Sequence, residues 1–322
     1  MKKLKALTGA AGLLCAAEAG ITLYFYNRTM KRNNAKTERT MKMSGTDWSK
    51  YIPLMRERRI AMMEHPHEEV TVTSFDDLKL KATYFLPKEE AGKKRVVIGF
   101  HGYTGEGISN FQGLSDYYLK RGFGMLIPDA RAHGASEGTY IGFGCLDRKD
   151  AAKWISWVLE KEGEDVEIYL HGVSMGGATV LMASGLELPA QVKGIVSDCA
   201  FTSAKEVFSH VLKAMYHMPS FPIIPAADAI NKKYAGYGMD ECNSRREVAR
   251  AKVPILFIHG SKDTFVPYEM CEELYESCTA PKKKFIVEGA SHAERYYMDT
   301  EGYEKALTEF FEFAENPIRE EN

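Results

Sequence analysis

The stretch Val166-Glu-Ile-Tyr-Leu-His171-Gly-Val-Ser174-Met-Gly-Gly177 decides how this chain is read. Val166 to Leu170 is short and rich in β-branched and aromatic residues, which predicts a buried strand. Gly172-Val-Ser174-Met-Gly176 follows at once, and Ala178 to Leu186 then reads as helix. A strand, a tight turn with serine at its apex and a helix make a nucleophile elbow. Glycines two residues either side let the backbone fold where a Cβ would clash. The hydroxyl then stands clear of the sheet at a helix N-terminus, where the dipole favours developing negative charge. An ordinary strand-to-helix turn is the alternative for a five-residue match, so the partners of Ser174 must be sought along the rest of the chain.

Outside this motif the composition is that of a globular protein, with 322 residues, 45% of them hydrophobic and 27% charged. The formal net charge is −2 with no long basic or acidic block, so nucleic acid is not an expected partner. Cys15, Cys145, Cys199, Cys242, Cys271 and Cys278 include no CxxC and do not cluster with histidine. They read as reduced thiols. The N-terminus departs from the rest. Lys2, Lys3 and Lys5 precede Ala6 to Tyr26, whose only charge is Glu18. As helix this segment rises ~30 Å, enough to cross a hydrocarbon core. Tyr24, Phe25 and Tyr26, followed by Arg28, Lys31 and Arg32, resemble an interfacial belt with a basic stop. The expectation is a membrane anchor at 1–27 with a linker and helix at 28–67. A signal peptide cleaved at Ala17-Glu-Ala19, or a buried helix, are the other readings.

From 68 to 322 the pattern is that of one domain. Glu69 to Phe75 and Leu78 to Phe85 alternate apolar and polar around Asp76-Asp77, predicting a hairpin with one solvated face. Buried strands are then expected at Arg95–Phe100, Gly124–Pro128, the elbow, Val192–Asp198, Val253–His259 and Lys284–Val287. Helices lie between them, including one after Asp147 and a last one from about Gly302 to Glu315. Near-continuous apolar strands alternating with helices imply an α/β fold: a mostly parallel sheet covered on both faces, with the hairpin as antiparallel edge. More than fifty residues between Asp198 and Val253 hold no strand. Helical segments at Ala204–Met218 and Ala226–Tyr237, interrupted by prolines, suggest a helical cap at about 204–250, inserted after the sixth strand.

In open parallel sheets, sites form beyond the carboxyl ends of the strands. Ser174 needs a base within reach and a group to orient it. Asp263 follows the Ile255–Ile258 run, and His292 follows Phe285–Val287, each in a loop at that end. Taken singly, Asp263 could be a helix N-cap and His292 a surface loop residue. The oxyanion formed on attack needs N–H donors. Met175 N–H is one, and Tyr103 N–H, in the glycine-containing loop His101-Gly-Tyr103-Thr-Gly105, is the other candidate. A phosphate-cradling role for that loop fails because no Lys-Ser/Thr follows. His101, His133, His171 and His259 read as fixing local structure. They lack metal-ligand spacing, so neither metal nor cofactor is expected.

Five ordered motifs carry a family resemblance over roughly 69–315. They are His101-Gly-Tyr-Thr-Gly105, Asp129-Ala-Arg-Ala-His-Gly-Ala-Ser136, Gly172–Gly177, His259-Gly-Ser-Lys-Asp263-Thr-Phe-Val-Pro267 and Gly289-Ala-Ser-His292. The chain resembles the α/β-hydrolases, in particular serine hydrolases of the lysophospholipase, carboxylesterase and serine aminopeptidase group. Members of that group anchored in bacterial membranes match the N-terminus. The family usually has glycine where Ala132 stands, in a loop that is structural. The resemblance implies Ser174 as nucleophile, Asp263 and His292 completing a triad, and an acyl-enzyme. The apolar cap (Phe201, Phe208, Met215, Tyr216, Met218, Phe221) favours a small-molecule or lipid ester. A peptidase would want cap carboxylates such as Asp228, Asp240 or Glu241, and a non-catalytic binding protein is the third reading.

Overall fold

The computed structural model describes residues 2–32, 46–87 and 94–316, of which 2–15 are described by their backbone alone. Strands β1 (His67–Thr73) and β2 (Lys79–Phe85) form the expected hairpin. Its turn is closed by Ser74, whose Oγ accepts the Leu78 N–H at 2.9 Å, and by Asp77 with φ of 64°. The remaining strands are β3 (Arg95–Phe100), β4 (Gly124–Pro128), β5 (Glu167–Val173), β6 (Val192–Asp198), β7 (Ile255–Gly260) and β8 (Lys282–Val287). They join the hairpin in one sheet of order β1-β2-β4-β3-β5-β6-β7-β8. β2 meets β4 antiparallel, and every pairing beyond it is parallel. The elbow strand β5 is central, between β3 and β6, with all seven residues buried. The strand alternation divides the interior into two cores. Val96, Ile98, Ile168, Leu170, Ile255 and Phe257 face one, while Val97, Tyr169, Val196, Leu256 and Ile258 face the other. β8 carries Lys282, Lys283 and Lys284 on the far edge, a charge pattern that discourages pairing with another chain.

The helices before the cap are α1 (Lys2–Met30), α2 (Ile52–Glu64), α3 (Gly107–Phe111), α4 (Ser115–Lys120), α5 (Asp147–Glu162) and α6 (Met175–Ala183). Between β6 and β7 lie α7 (Ala204–Tyr216), α8 (Ile223–Tyr234) and α9 (Ser244–Val248); α10 (Tyr268–Ser277), α11 (Arg295–Met298) and α12 (Thr300–Glu315) follow. Asp147 sits inside the first turn of α5 instead of capping it, and its carboxylate accepts the Gly144 N–H at 2.8 Å. α8 starts at Ile223, three residues before the sequence suggests. Pro225 lies in its first turn, where a missing N–H removes no helical bond.

The N-terminal segment differs most from expectation. Thr22, Tyr26 and Met30 recur every four residues on one face of α1, and all three are buried. That face packs on α8, with Tyr26 Oη 3.4 Å from Asn231 Oδ1, while the adjacent Phe25 ring lies edge-on to Tyr216 of α7 at 4.8 Å. Beyond the helix, the Ile141 N–H donates to Met30 O at 2.8 Å and the Arg32 N–H to Thr139 O at 2.8 Å. The C-terminal turns expected to lie in a membrane are therefore joined to α8 and to the segment before α5. Among the described residues no helix is long and apolar enough to cross a membrane. The side chains of 6–15 within the expected span, and Cys15 among them, lie outside the described residues. Cys145, Cys199, Cys242, Cys271 and Cys278 are free and buried.

Candidate active site

Ser174 adopts φ 56° and ψ −112°, a region that costs a non-glycine residue roughly 1–3 kcal/mol and persists only where the surroundings enforce it. Two features enforce it here. The Ser174 N–H donates to the Asp198 carbonyl at 2.7 Å, and the chain then turns directly into α6. A Cβ on Gly172 would run into the backbone of Gly176, and one on Gly176 into the carbonyl of Phe100. The glycines flanking the serine are thus required by backbone-to-backbone approach, as the motif suggests.

Asp263 and His292 converge on this serine from the loops after β7 and β8. His292 Nε2 lies 2.9 Å from Ser174 Oγ, and His292 Nδ1 lies 2.6 Å from Asp263 Oδ2. The three residues are 7%, 5% and 3% exposed respectively. Asp263 divides its oxygens between two tasks. Oδ1 accepts the N–H groups of Phe265 and Val266 at 3.0 and 2.9 Å, which is the local turn role open to it from sequence, while Oδ2 faces the histidine. Burial opposes ionisation of Asp263, but the facing His292 outweighs it and holds the carboxyl below the ordinary carboxylate range. Burial also opposes protonation of His292, and there the Asp263 carboxylate wins, raising the imidazole above its ordinary value. This arrangement can accept a proton from Ser174 on one nitrogen while the other stays fixed by a carboxylate.

The loop after β3 comes up beside the serine. A Cβ on Gly102 would stand 3.3 Å from Ser174 Cβ, so Gly102, the residue before Tyr103, passes close to the nucleophile. Met175 opens α6, and the first N–H groups of a helix have no acceptor within the helix itself. The Gly102 N–H is held by Asn110 Oδ1 at 2.9 Å. His101 Nδ1 meets Gly102 O at 2.7 Å while its Nε2 accepts the Ala130 N–H at 2.9 Å, and His133 Nε2 accepts the Thr104 N–H at 3.2 Å. Burial lowers the pKa of both rings, that of His133 to about 3, so both are neutral and serve as fixed hydrogen-bonding groups. His259 likewise meets Val266 O at 2.9 Å. His171 differs from the expected backbone role: Tyr118 Oη and Tyr303 Oη flank its two nitrogens at 2.7 and 3.1 Å. Ala132, where the family has glycine, has φ of 61°, the conformation that explains the glycine preference.

Two parts of the site escaped the sequence reading. Arg295, fully buried, forms an ion pair with Asp198 beneath the serine, and Asp198 also accepts a hydrogen bond from Tyr303 Oη at 2.9 Å. Glu294, two residues past His292, is gripped by the N-terminal segment. It accepts from Tyr51 Oη at 2.9 Å, pairs with Lys50 Nζ at 3.1 Å and accepts the Ser291 N–H at 3.3 Å. An acid two residues from the histidine was the only local signal; the partners are far away in sequence. Cys199 Sγ lies 3.9 Å from His292 Nε2, and with Asp263 these are three ligand-type atoms within 4.8 Å of one another. Both histidine nitrogens are already engaged, so a metal there would have to displace the Ser174–His292 hydrogen bond.

Comparison with known proteins bears on the family of the chain. The serine aminopeptidase (S33) family pattern matches residues 91–230, and the serine hydrolase (FSH1) pattern matches 170–293. YqkD of Bacillus subtilis, an uncharacterized protein, is 31% identical over 217 residues, 67% of this chain and 71% of its own. YNL320W of Saccharomyces cerevisiae, named an uncharacterized membrane protein, is 24% identical, covering 76% of this chain and 79% of its own. Among solved structures, the Pyrococcus furiosus esterase Pf2001 superposes with a TM-score of 0.63 at 22% identity, covering 78% of this chain and 92% of that one. The chain belongs to the α/β-hydrolase family of serine hydrolases.

Proposed function

We propose that the protein hydrolyses carboxylic esters of hydrophobic acyl groups through an acyl-enzyme. Ser174 Oγ attacks the ester carbonyl as His292 Nε2 takes its proton, and Asp263 stabilises the imidazolium. The N–H groups of Tyr103 and Met175 hold the tetrahedral oxyanion. His292 then protonates the departing alcohol and activates water for deacylation. Base and oxyanion donors would each contribute roughly 10²–10⁴ in rate. The observation that carries this reading is the unbroken Ser174–His292–Asp263 hydrogen-bonded chain at the carboxyl end of the sheet.

Ester is favoured over amide by the cap. The carboxylates that an amine-recognising peptidase would use are tied up locally. Asp228 pairs with Lys232 and accepts the Met239 N–H, Glu241 accepts the Gly238 N–H, and Asp240 accepts from Asn243. What the cap offers instead is an apolar cleft beside Tyr103. The peptidase reading has the serine aminopeptidase pattern in its favour. The test is a panel of p-nitrophenyl esters and aminoacyl-anilides on the full chain; turnover of anilides only would replace the ester reading with the peptidase one. Attachment to a membrane through the N-terminal segment 1–27 belongs to the same proposal. The exposed Ile21, Leu23 and Tyr24 and the name of the yeast relative support it. Full-length protein should float with lipid vesicles, and protein left in the aqueous fraction would contradict the attachment.

A further inference from the structure

The cap cleft has a wall that does not belong to the cap. On one side lie Phe208, Val211 and Ala227 of α7 and α8, and on the other Phe25 and Thr29 of α1. Tyr103 also lines the cleft, and its chain neighbour Gly102 passes close to Ser174. α1 is fixed in this place by several independent contacts. Tyr103 Oη donates to Arg28 O at 3.2 Å, the Phe25 ring packs edge-on against Tyr216, and Thr22, Tyr26 and Met30 are buried on the inner face. Tyr103 in turn stacks on Phe143 at 5.4 Å, and Phe143 meets Phe208 at 4.8 Å. One aromatic row therefore runs from the loop beside the nucleophile into the cap.

Resting on the ester reading above, we infer that this cleft binds the acyl chain of the substrate and that the N-terminal helix α1 determines how long a chain is accepted. Its lining is almost wholly apolar, which suits a hydrocarbon chain and not a charged or sugar group. Each methylene buried there is worth roughly fourfold in kcat/KM. A form of the protein lacking residues 1–27 would lose Phe25 and Tyr26, and with them half of one wall.

The test is the chain-length profile of p-nitrophenyl esters, acetate to laurate, on the full chain. Wild type should favour longer chains over acetate. Thr29→Trp, which fills the cleft from α1, should lower the laurate-to-acetate ratio of kcat/KM roughly fiftyfold, the equivalent of about three methylenes. Ala227→Trp should do the same from α8, and Phe25→Ala should shift the optimum toward longer chains. Asn27→Ala, exposed on α1 and outside the cleft, should keep the wild-type ratio. If Thr29→Trp does not fold, the Phe25→Ala shift decides alone. Acetate turnover with a ratio that neither tryptophan variant nor Phe25→Ala moves would overturn the role of α1 while leaving the ester reading intact. Absence of turnover on every ester would overturn the ester reading, and this inference with it.

Discussion

Asp263→Asn is the substitution whose consequence the geometry defines most fully. The asparagine keeps Oδ1 for the N–H groups of Phe265 and Val266, so the loop is retained and the stability change stays below about 1 kcal/mol. The group facing His292 Nδ1 at 2.6 Å then becomes an amide N–H₂ donor. His292 must present Nδ1 as an acceptor and carry its proton on Nε2, toward Ser174 Oγ at 2.9 Å. In that tautomer it cannot take the serine proton. The expected loss in kcat is about 10⁴, the size seen when the acid of a comparable triad is neutralised. A second signature concerns pH. The Asp263 carboxylate raises the pKa of His292, so the wild-type base form is present above that raised value and is lost as pH falls through it. The acid limb of kcat/KM should therefore lie above about 6.5, the ordinary imidazole value. With the carboxylate gone only burial remains, which favours neutral imidazole, and the limb of the residual activity should move to lower pH. Steady-state kinetics from pH 5 to 10 on both proteins measure both effects. A loss smaller than tenfold, or a limb that does not move, would refute the assigned role of Asp263.

Other substitutions test the supports of the site. Arg295→Met strands the Asp198 carboxylate in the interior and should cost about 3–5 kcal/mol in urea unfolding; adding Asp198→Asn should recover part of it, and an unchanged midpoint would contradict the buried ion pair. Gly176→Ala drives a Cβ into the Phe100 carbonyl and should destabilise by about 3 kcal/mol, read as a lowered Tm, with activity lost as well. Tyr51→Phe removes the hydroxyl that Glu294 accepts from and should cost about 1 kcal/mol of stability, with kcat reduced severalfold because the His292 loop is less well held. Equal stability and kcat in that variant would show that the N-terminal segment does not support the loop.

The reach of the sequence followed the range of the interactions. The elbow was legible because its pattern is local, two glycines about a serine within five residues, although Gly176 is forced by the distant carbonyl of Phe100. Asp263 and His292 were legible because strand–helix alternation implies parallel strands, whose following loops all lie at one end of the sheet. The spatial order of the strands was not legible, since nothing in Gly124–Pro128 states that β4 lies between β2 and β3. The N-terminal helix shows the same limit. Hydropathy over Ala6–Tyr26 suggested a membrane span, yet Thr22, Tyr26 and Met30 carried a four-residue period that marks a protein-facing stripe. Lipid and a protein core attract the same side chains, and only the partner surface on α8 distinguishes them. The grip of Tyr51 and Lys50 on Glu294 joins residues more than 240 positions apart and left no pattern to read.

The central claim, that Ser174 is the nucleophile, is tested most directly by covalent labelling with a fluorophosphonate, followed by intact-mass and peptide analysis. The account predicts one adduct per chain, on Ser174, abolished in Ser174→Ala together with ester turnover while the circular dichroism spectrum is unchanged. An adduct on another residue, or labelling and turnover that persist in Ser174→Ala, would contradict it.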